Sequence, residues 1–368
     1  MKKSLWLLIL CTAPLAAGDA GDVVAGPVAV NVGPRTATIV WLVSEGESKL
    51  GESPAGQTMT VQSLRVRKTV YAGLKGGTTY YYTIPGGGTG SFKTPPAPAR
   101  PNQPMPSPPS YSFVVYGDTR TRDDVHARVI AAVDSAGPDF VIHTGDLVSS
   151  GEDTALWPNF FKIEKSVLAK AAFFPVLGNH ERNANQYYEF LDARAPYYSF
   201  NWGNAHFTLL NSDIGSAAAG SEGQDRYWRE QVAWMEQDLE RSQTADFRFV
   251  VAHHPPFTSV SSRQGGNARM EALVPLMTKY RVAAMFNGHD HNYQRFEKGS
   301  VQYVTTGGGG APLYDVDMPP AYITKKVEKT ENFVRVKVDG NRAVVEALGI
   351  DGRVIDRFEL PGGAKPAR

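Results

Sequence analysis

The sequence predicts an α/β layered core preceded by a small all-β sandwich, and three observations carry that expectation. From Tyr111 onward, the runs "YSFVVYGD", "PDFVIHTGD", "AFFPVLGN", "FRFVVAHH" and "VAAMFNGH" are each nearly continuous in apolar residues and end in polar ones. Runs of this kind suit strands buried on both faces. Helical periodicity fills several of the gaps between them, and strands alternating with helices indicate a layered α/β core. Ahead of Tyr111, residues 22–97 alternate short β-rich runs with Gly and Pro turns, the spacing of a small antiparallel sandwich.

The elements follow in chain order. Residues 1–20 begin "MKKSLWLLILCTAPLAAG". Lys2 and Lys3 form a positive start, Leu5 to Leu15 a short apolar stretch, and Ala16, Ala17 and Gly18 a small-residue cleavage zone. This is the layout of a signal peptide, too short in its apolar part to anchor in a membrane. The expectation is export, to the periplasm or the medium. Cys11, the single cysteine, lies in this segment, so the exported chain has neither disulfides nor thiolate ligands. Residues 98–110 sit in "PPAPARPNQPMPSPPS", which cannot build ladders or helices and reads as a semi-rigid linker. In "DDVHARVIAAVDSAG", Val125, Val129, Ile130 and Val133 share a helical face and Gly137 is placed to stop it. Trp228, Val232, Met235 and Leu239 repeat the pattern. After "VQYVTTGGGGAPLY", the segments to residue 362 read as closing antiparallel strands with Asp-Gly turns.

At 368 residues there is room for two domains and a sizeable core. The net charge of +1, from 38 basic and 37 acidic residues, gives no case for nucleic acid or an anionic membrane as main partner.

The apolar runs all end in groups that can ligate a metal: Asp118, Asp146, Asn179 with His180, His253 with His254, and His289 with His291. In open α/β sheets, ligands bind beyond the carboxyl ends of the strands. The ordered motifs "GDTR", "GDLV", "GNHE", "HHPP" and "GHDHNYQR" resemble those of the calcineurin-like metallophosphoesterase superfamily, closest to its purple acid phosphatase branch. "TATIVWLV" and "GLKGGTTYYYTI" resemble a fibronectin type III-like domain, with Trp41 as core tryptophan and Tyr80 at a tyrosine corner.

The resemblance implies a four-layer core, two packed sheets flanked by helices, over residues 111–362. It implies two divalent or trivalent metal ions, and donors of this kind suit Fe, Mn or Zn. Asp146 would bridge them, Asp118 and His291 completing one ion and Asn179, His253 and His289 the other. A metal-bound water would attack the phosphate of a small substrate in line, with His180 stabilising charge or protonating the leaving oxygen.

Two positions depart from the family pattern. Asp118-Thr119-Arg120 stands where Asp-x-His is usual, and Ser149 where the purple branch has Tyr. A water or Thr119 would fill the gap at the first metal, or that site would be weaker. Arg120 either contacts substrate phosphate or forms a salt bridge at the rim. His254 is a further substrate contact, with packing beside Pro255 as the other reading. Arg263 and Arg295 are lesser phosphate candidates. His143 and His206 read as hydrogen-bonded core, His126 as solvated surface, and Gly307–Gly310 as a turn closing the site. The expected activity is phosphomonoesterase. A nucleotide-type phosphodiesterase and a decayed, non-catalytic binding protein are the alternatives.

Overall fold

The computed structural model describes residues 21–53, 56–96, 109–264 and 267–363. The expected signal segment, and all but the last two residues of the expected linker, lie outside these. Five strands come first: β1 (Val23–Val30), β2 (Thr36–Gly51), β3 (Gln57–Ala72), β4 (Thr79–Thr83) and β5 (Thr89–Lys93). Then follow β6 (Ser110–Tyr116), α1 (Asp123–Ala136), β7 (Phe140–His143), α2 (Leu156–Leu168), β8 (Ala172–Pro175) and α3 (Asn185–Phe190). The second half holds β9 (Tyr198–Trp202), β10 (Ala205–Leu209), α4 (Ile214–Ala217), α5 (Gly220–Arg241) and β11 (Phe247–Val251). It continues with α6 (Ala268–Glu271), α7 (Val274–Lys279), β12 (Ala284–Asn287), β13 (Tyr293–Lys298), β14 (Val301–Thr306) and β15 (Thr324–Glu328). The strands β16 (Asn332–Asp339), β17 (Arg342–Gly349) and β18 (Val354–Pro361) close the chain as antiparallel neighbours.

Two sheets pack face to face. The first has the order β18-β17-β16-β6-β7-β8-β1-β2-β3 and the second β15-β13-β14-β12-β11-β10-β9. In the first, β6, β7 and β8 run parallel; in the second, β10, β11, β12 and β14 do. Alternation along β6 shows why the run is apolar throughout. Phe113 and Val115 join the layer between the sheets, while Val114 and Tyr116 join the layer under α1 and α2. On the far side, Val250, Met285 and Tyr303 pack with Met235 and Leu239 of α5 and Met277 of α7. The result is helices, sheet, sheet, helices: the four layers expected.

Among the described residues, those between 21 and 96 form strands and no helix, as the turn spacing predicts. Three of their strands extend the first sheet, through β1 beside β8 at Ala29 and Ala172, and β4 and β5 form a separate hairpin. Trp41, Tyr82 and Phe92 share the inter-sheet core with Phe113 and Phe140, so the segment is distinct in sequence and continuous in packing. Tyr80 accepts the Lys75 N–H at 2.8 Å.

One expectation fails. His126 is buried, not solvated: its Nε2 lies 2.8 Å from Glu164 Oε1, and Glu164 Oε2 accepts the Tyr116 hydroxyl at 2.7 Å. The reason lies in the helix period. His126 falls on the stripe of Ile130 and Val133, the face that α1 turns towards α2 and the first sheet. His206 is core as expected, bonded to Asp238 and Asn201.

Phe140 sits at the centre of the inter-sheet layer, in ring contact with Phe113, Phe174, Trp202 and Phe207. Phe140→Ala is expected to cost about 3–5 kcal/mol in denaturant unfolding, as fully buried Phe truncations do. A loss below about 1 kcal/mol would mean that the two sheets do not depend on this contact.

Candidate metal centre

The parallel strands of both sheets deliver their carboxyl ends to one place. The turn after β6 carries Asp118, that after β7 Asp146, and that after β8 Asn179 and His180. From the facing sheet, β11 leads to His253 and His254, and β12 to His289 and His291. Sharp turns are needed to aim these side chains back at each other. Asp118, Asp146 and His289 adopt φ of 59°, 58° and 68°, a left-handed conformation that Asp and His tolerate better than most residues, at a cost of order 1–3 kcal/mol each. Two glycines allow the close approach. A Cβ on Gly178 would lie 2.3 Å from Asp146 Oδ1, and one on Gly288 2.4 Å from Asp118 Oδ2.

One cluster gathers atoms that can all accept. Asn179 Oδ1 lies 3.0 Å from both His253 Nε2 and His289 Nδ1, which are 3.2 Å apart. His253 Nδ1–H donates to Thr144 O at 2.9 Å, so a neutral ring turns its bare Nε2 inward. Asp146 Oδ1 stands 3.4 Å from the same nitrogen. Burial would lower the His253 pKa, but the Asp146 and Asp118 charges raise it on balance. His289 is held low by burial and by its histidine neighbours. Lone pairs packed this closely call for a cation or a shared proton between them.

The other cluster is Asp118, Asp146 and His291, whose ligating atoms lie within 4.8 Å of one another. His291 Nδ1–H donates to Pro312 O at 2.7 Å, leaving Nε2 to face Asp118 Oδ1 at 3.4 Å, and Tyr314 stacks on the ring at 4.4 Å. Into this cluster reaches Arg120. Its Nε donates to Asp146 Oδ2 at 3.2 Å, and its Nη2 lies 3.5 Å from His291 Nε2. Of the two readings offered for Arg120, the salt bridge is present, to Asp146, but it lies inward and not at the rim, with the side chain only 15% exposed.

Thr119, expected as a substitute ligand, is turned away. Its buried hydroxyl donates to Leu147 O at 3.2 Å and meets His143 Nε2 at 3.1 Å. Ser149 does not reach in either: the residue is exposed, and its carbonyl accepts His180 Nδ1–H at 2.8 Å. Asp146 therefore divides its oxygens, Oδ1 towards His253 and Oδ2 towards Arg120. Burial would raise its carboxyl, but His253, His180 and Arg120 together hold it below the ordinary value.

The remaining expected residues differ in place, and a ring nitrogen of His254 lies within 4.8 Å of those of His253 and His289. His180 keeps its ring by the bond to Ser149 O, with Nε2 3.9 Å from Asp146 Oδ2. Ser212 Oγ accepts the His254 N–H at 2.9 Å and lies 2.8 Å from His254 Nδ1. A hydroxyl donating to Nδ1 puts the ring proton on Nε2. Burial and His253 push His254 down to about 3, so it stays neutral. Arg263 pairs with Asp290 at 3.3 Å and with the Tyr314 hydroxyl, and Arg295 with Asp356 on the far strand. Arg263 Nη1 is buried and has no hydrogen-bond partner. The Gly307–Gly310 turn closes on Asp118, Gly309 N–H donating to Gly117 O at 3.0 Å.

Sequence reasoning missed Glu181, whose place directly after "GNH" was the available signal. Fully buried, it accepts the N–H groups of Asp146 and Gly178 on Oε2 at 2.8 and 2.7 Å. Oε1 accepts those of Leu147 and Val148 at 2.8 and 3.3 Å. Burial and the Asp146 charge push its carboxyl up to about 7, opposed by these N–H groups. Glu181→Gln would turn an amide N–H onto two backbone N–H groups. It is expected to lower stability by about 1–3 kcal/mol in urea unfolding, and an unchanged midpoint would remove Glu181 as the clamp of these turns.

The calcineurin-like phosphoesterase family profile matches residues 111–293. Purple acid phosphatase 22 of Arabidopsis thaliana is 25% identical over 318 residues, 80% of this chain and 70% of that protein. Purple acid phosphatase 21 of the same plant is 25% identical over 280 residues, and the chain spans 62% of its length. In fold, the chain matches purple acid phosphatase PPD1 from yellow lupin (Lupinus luteus) seeds with a TM-score of 0.69, over 91% of this chain and 74% of that one at 18% identity. Five strand-end motifs converging on one buried carboxylate, a four-layer core and these matches lead to one conclusion: the chain carries a calcineurin-like phosphoesterase domain over residues 111–293 and has purple acid phosphatases among its relatives.

Proposed function

We propose that this chain is an exported, metal-assisted phosphomonoesterase acting on small phosphorylated substrates, with catalysis in residues 111–362. The observation that carries the reading is Asp146, buried and accepting contacts on both oxygens from opposite sides. The acceptor cluster of Asn179, His253 and His289, with Asp146 Oδ1, fits a cation by its chemistry: nitrogen and oxygen donors without thiolate suit Fe, Mn or Zn. A cation there would supply neutralisation of phosphate charge and polarisation of an attacking water. The expected partner position at Asp118, Asp146 and His291 does not fit a cation as it stands, because Arg120 reaches into it.

The reading gives three other residues these roles. His180, with Nδ1–H tied to Ser149 O, takes any second proton on Nε2 and can pass it to the leaving oxygen. His254 offers its Nε2–H to a phosphate oxygen, and the guanidinium of Arg120 adds fixed positive charge beside it. The segment "MKKSLWLLILCTAPLAAG" supports export.

Turnover of p-nitrophenyl phosphate against bis(p-nitrophenyl) phosphate tests the substrate class. Faster monoester cleavage is expected; the reverse favours the phosphodiesterase, and inertness to both the non-catalytic binding protein. Asp146→Asn is expected to lower both bound metal and turnover by more than about 100-fold, beyond what loss of a supporting contact does. Retained turnover would sink the assignment. His180→Ala should lower kcat by about 10²–10⁴-fold with the monoester and little change in KM. A fall in affinity alone would make it a binding residue instead.

A further inference from the structure

The geometry around Arg120 points to a guanidinium seated where the first of two cations would lie. We propose that the site holds a single metal ion, at Asn179, His253, His289 and Asp146, and that Arg120 supplies the second positive charge. This rests on the metal-assisted reading above.

Each potential ligand of the first position is otherwise engaged. Asp146 Oδ2 accepts Arg120 Nε at 3.2 Å. His291 Nε2 carries a lone pair, because its Nδ1–H donates to Pro312 O, and that lone pair lies 3.5 Å from Arg120 Nη2. Both Asp118 oxygens accept the His289 N–H, at 3.1 and 3.0 Å. The guanidinium is steadied by a third contact, Nη1 to Thr121 Oγ1 at 3.3 Å. Arginine stays charged at any working pH, and its planar donors can meet a carboxylate and an imidazole together. A multivalent cation seated among the same three residues would meet that charge at contact distance.

The number of available ligands agrees. The first position offers three side chains and would need water to complete a set of four. Thr119 Oγ1 is spent on Leu147 O and His143, and Ser149 is exposed. At the second position Asn179, His253 and His289 have their acceptor atoms 3.0–3.2 Å apart, with Asp146 Oδ1 beside them. No lysine or arginine bonds to these atoms among the described residues. The two halves of the centre are thus unequal, one built of lone pairs and the other closed by a fixed cation.

Metal content of the purified full chain, saturated with Mn(II) and dialysed, tests this. One metal per chain is expected, with the electron paramagnetic resonance signal of isolated Mn(II). Arg120→His, which restores an imidazole and removes the charge, should raise the content to two and produce an exchange-coupled signal. Arg120→Lys, which keeps a charge, should stay at one and so checks that the fold tolerates change there. Two metals in the unaltered chain would overturn the inference while leaving the metal-assisted reading intact. One metal in both the unaltered chain and Arg120→His would remove Arg120 as the cause and overturn it too. No bound metal in the unaltered chain would overturn both.

Discussion

Everything at this centre depends on keeping one ionised carboxylate, Asp146, buried between two sheets. Burial alone disfavours the charge, and the structure answers with positive or polarised groups on every side: His253, the His180 N–H, and Arg120. Its own backbone is fixed as well. A φ of 58° and the bond from Asp146 N–H to Glu181 hold the carboxylate with one oxygen towards each cluster. If it rotated, the two clusters would share nothing.

The strain and the crowding of acceptors are sustained by the inter-sheet core. Stacked and edge-on rings from Phe113, Phe140, Phe174, Phe207 and Phe249 lock the sheets together. Both sheets present their parallel strands' carboxyl ends at the same edge, so three motifs come from the first sheet and two from the second. That arrangement explains why residues separated by 171 positions, such as Arg120 and His291, meet within 3.5 Å. It also explains why glycine precedes Asn179 and His289, where any Cβ would strike an Asp of the neighbouring turn.

Much of this was legible beforehand for a simple reason. A strand buried on both faces must be apolar along its whole length, so its end is marked by the first polar residues, and those are the site. Asp118, Asp146, Asn179, His253, His289 and His291 were found in that way and do converge. Side chains whose fate depends on a partner element were not legible. His126 looked solvated until α2 brought Glu164 to it, and Thr119 looked like a ligand until Leu147 O and His143 claimed its hydroxyl. Glu181 was missed because its one signal, the place directly after "GNH", does not tell a ligand from a carboxylate that serves backbone N–H groups.

The sequence by itself determined the order of buried strands, the two faces each must cover, and the identity of the groups at their ends, since burial and period are local properties of composition. Tertiary structure alone decided that β1–β3 prolong the first sheet instead of standing apart, because strand pairing is made by distant backbone groups. It alone also decided the direction of Arg120. A long, charged side chain has many rotamers of similar energy in isolation. Only the nearby Asp146 oxygen and the His291 lone pair select the one that points inward.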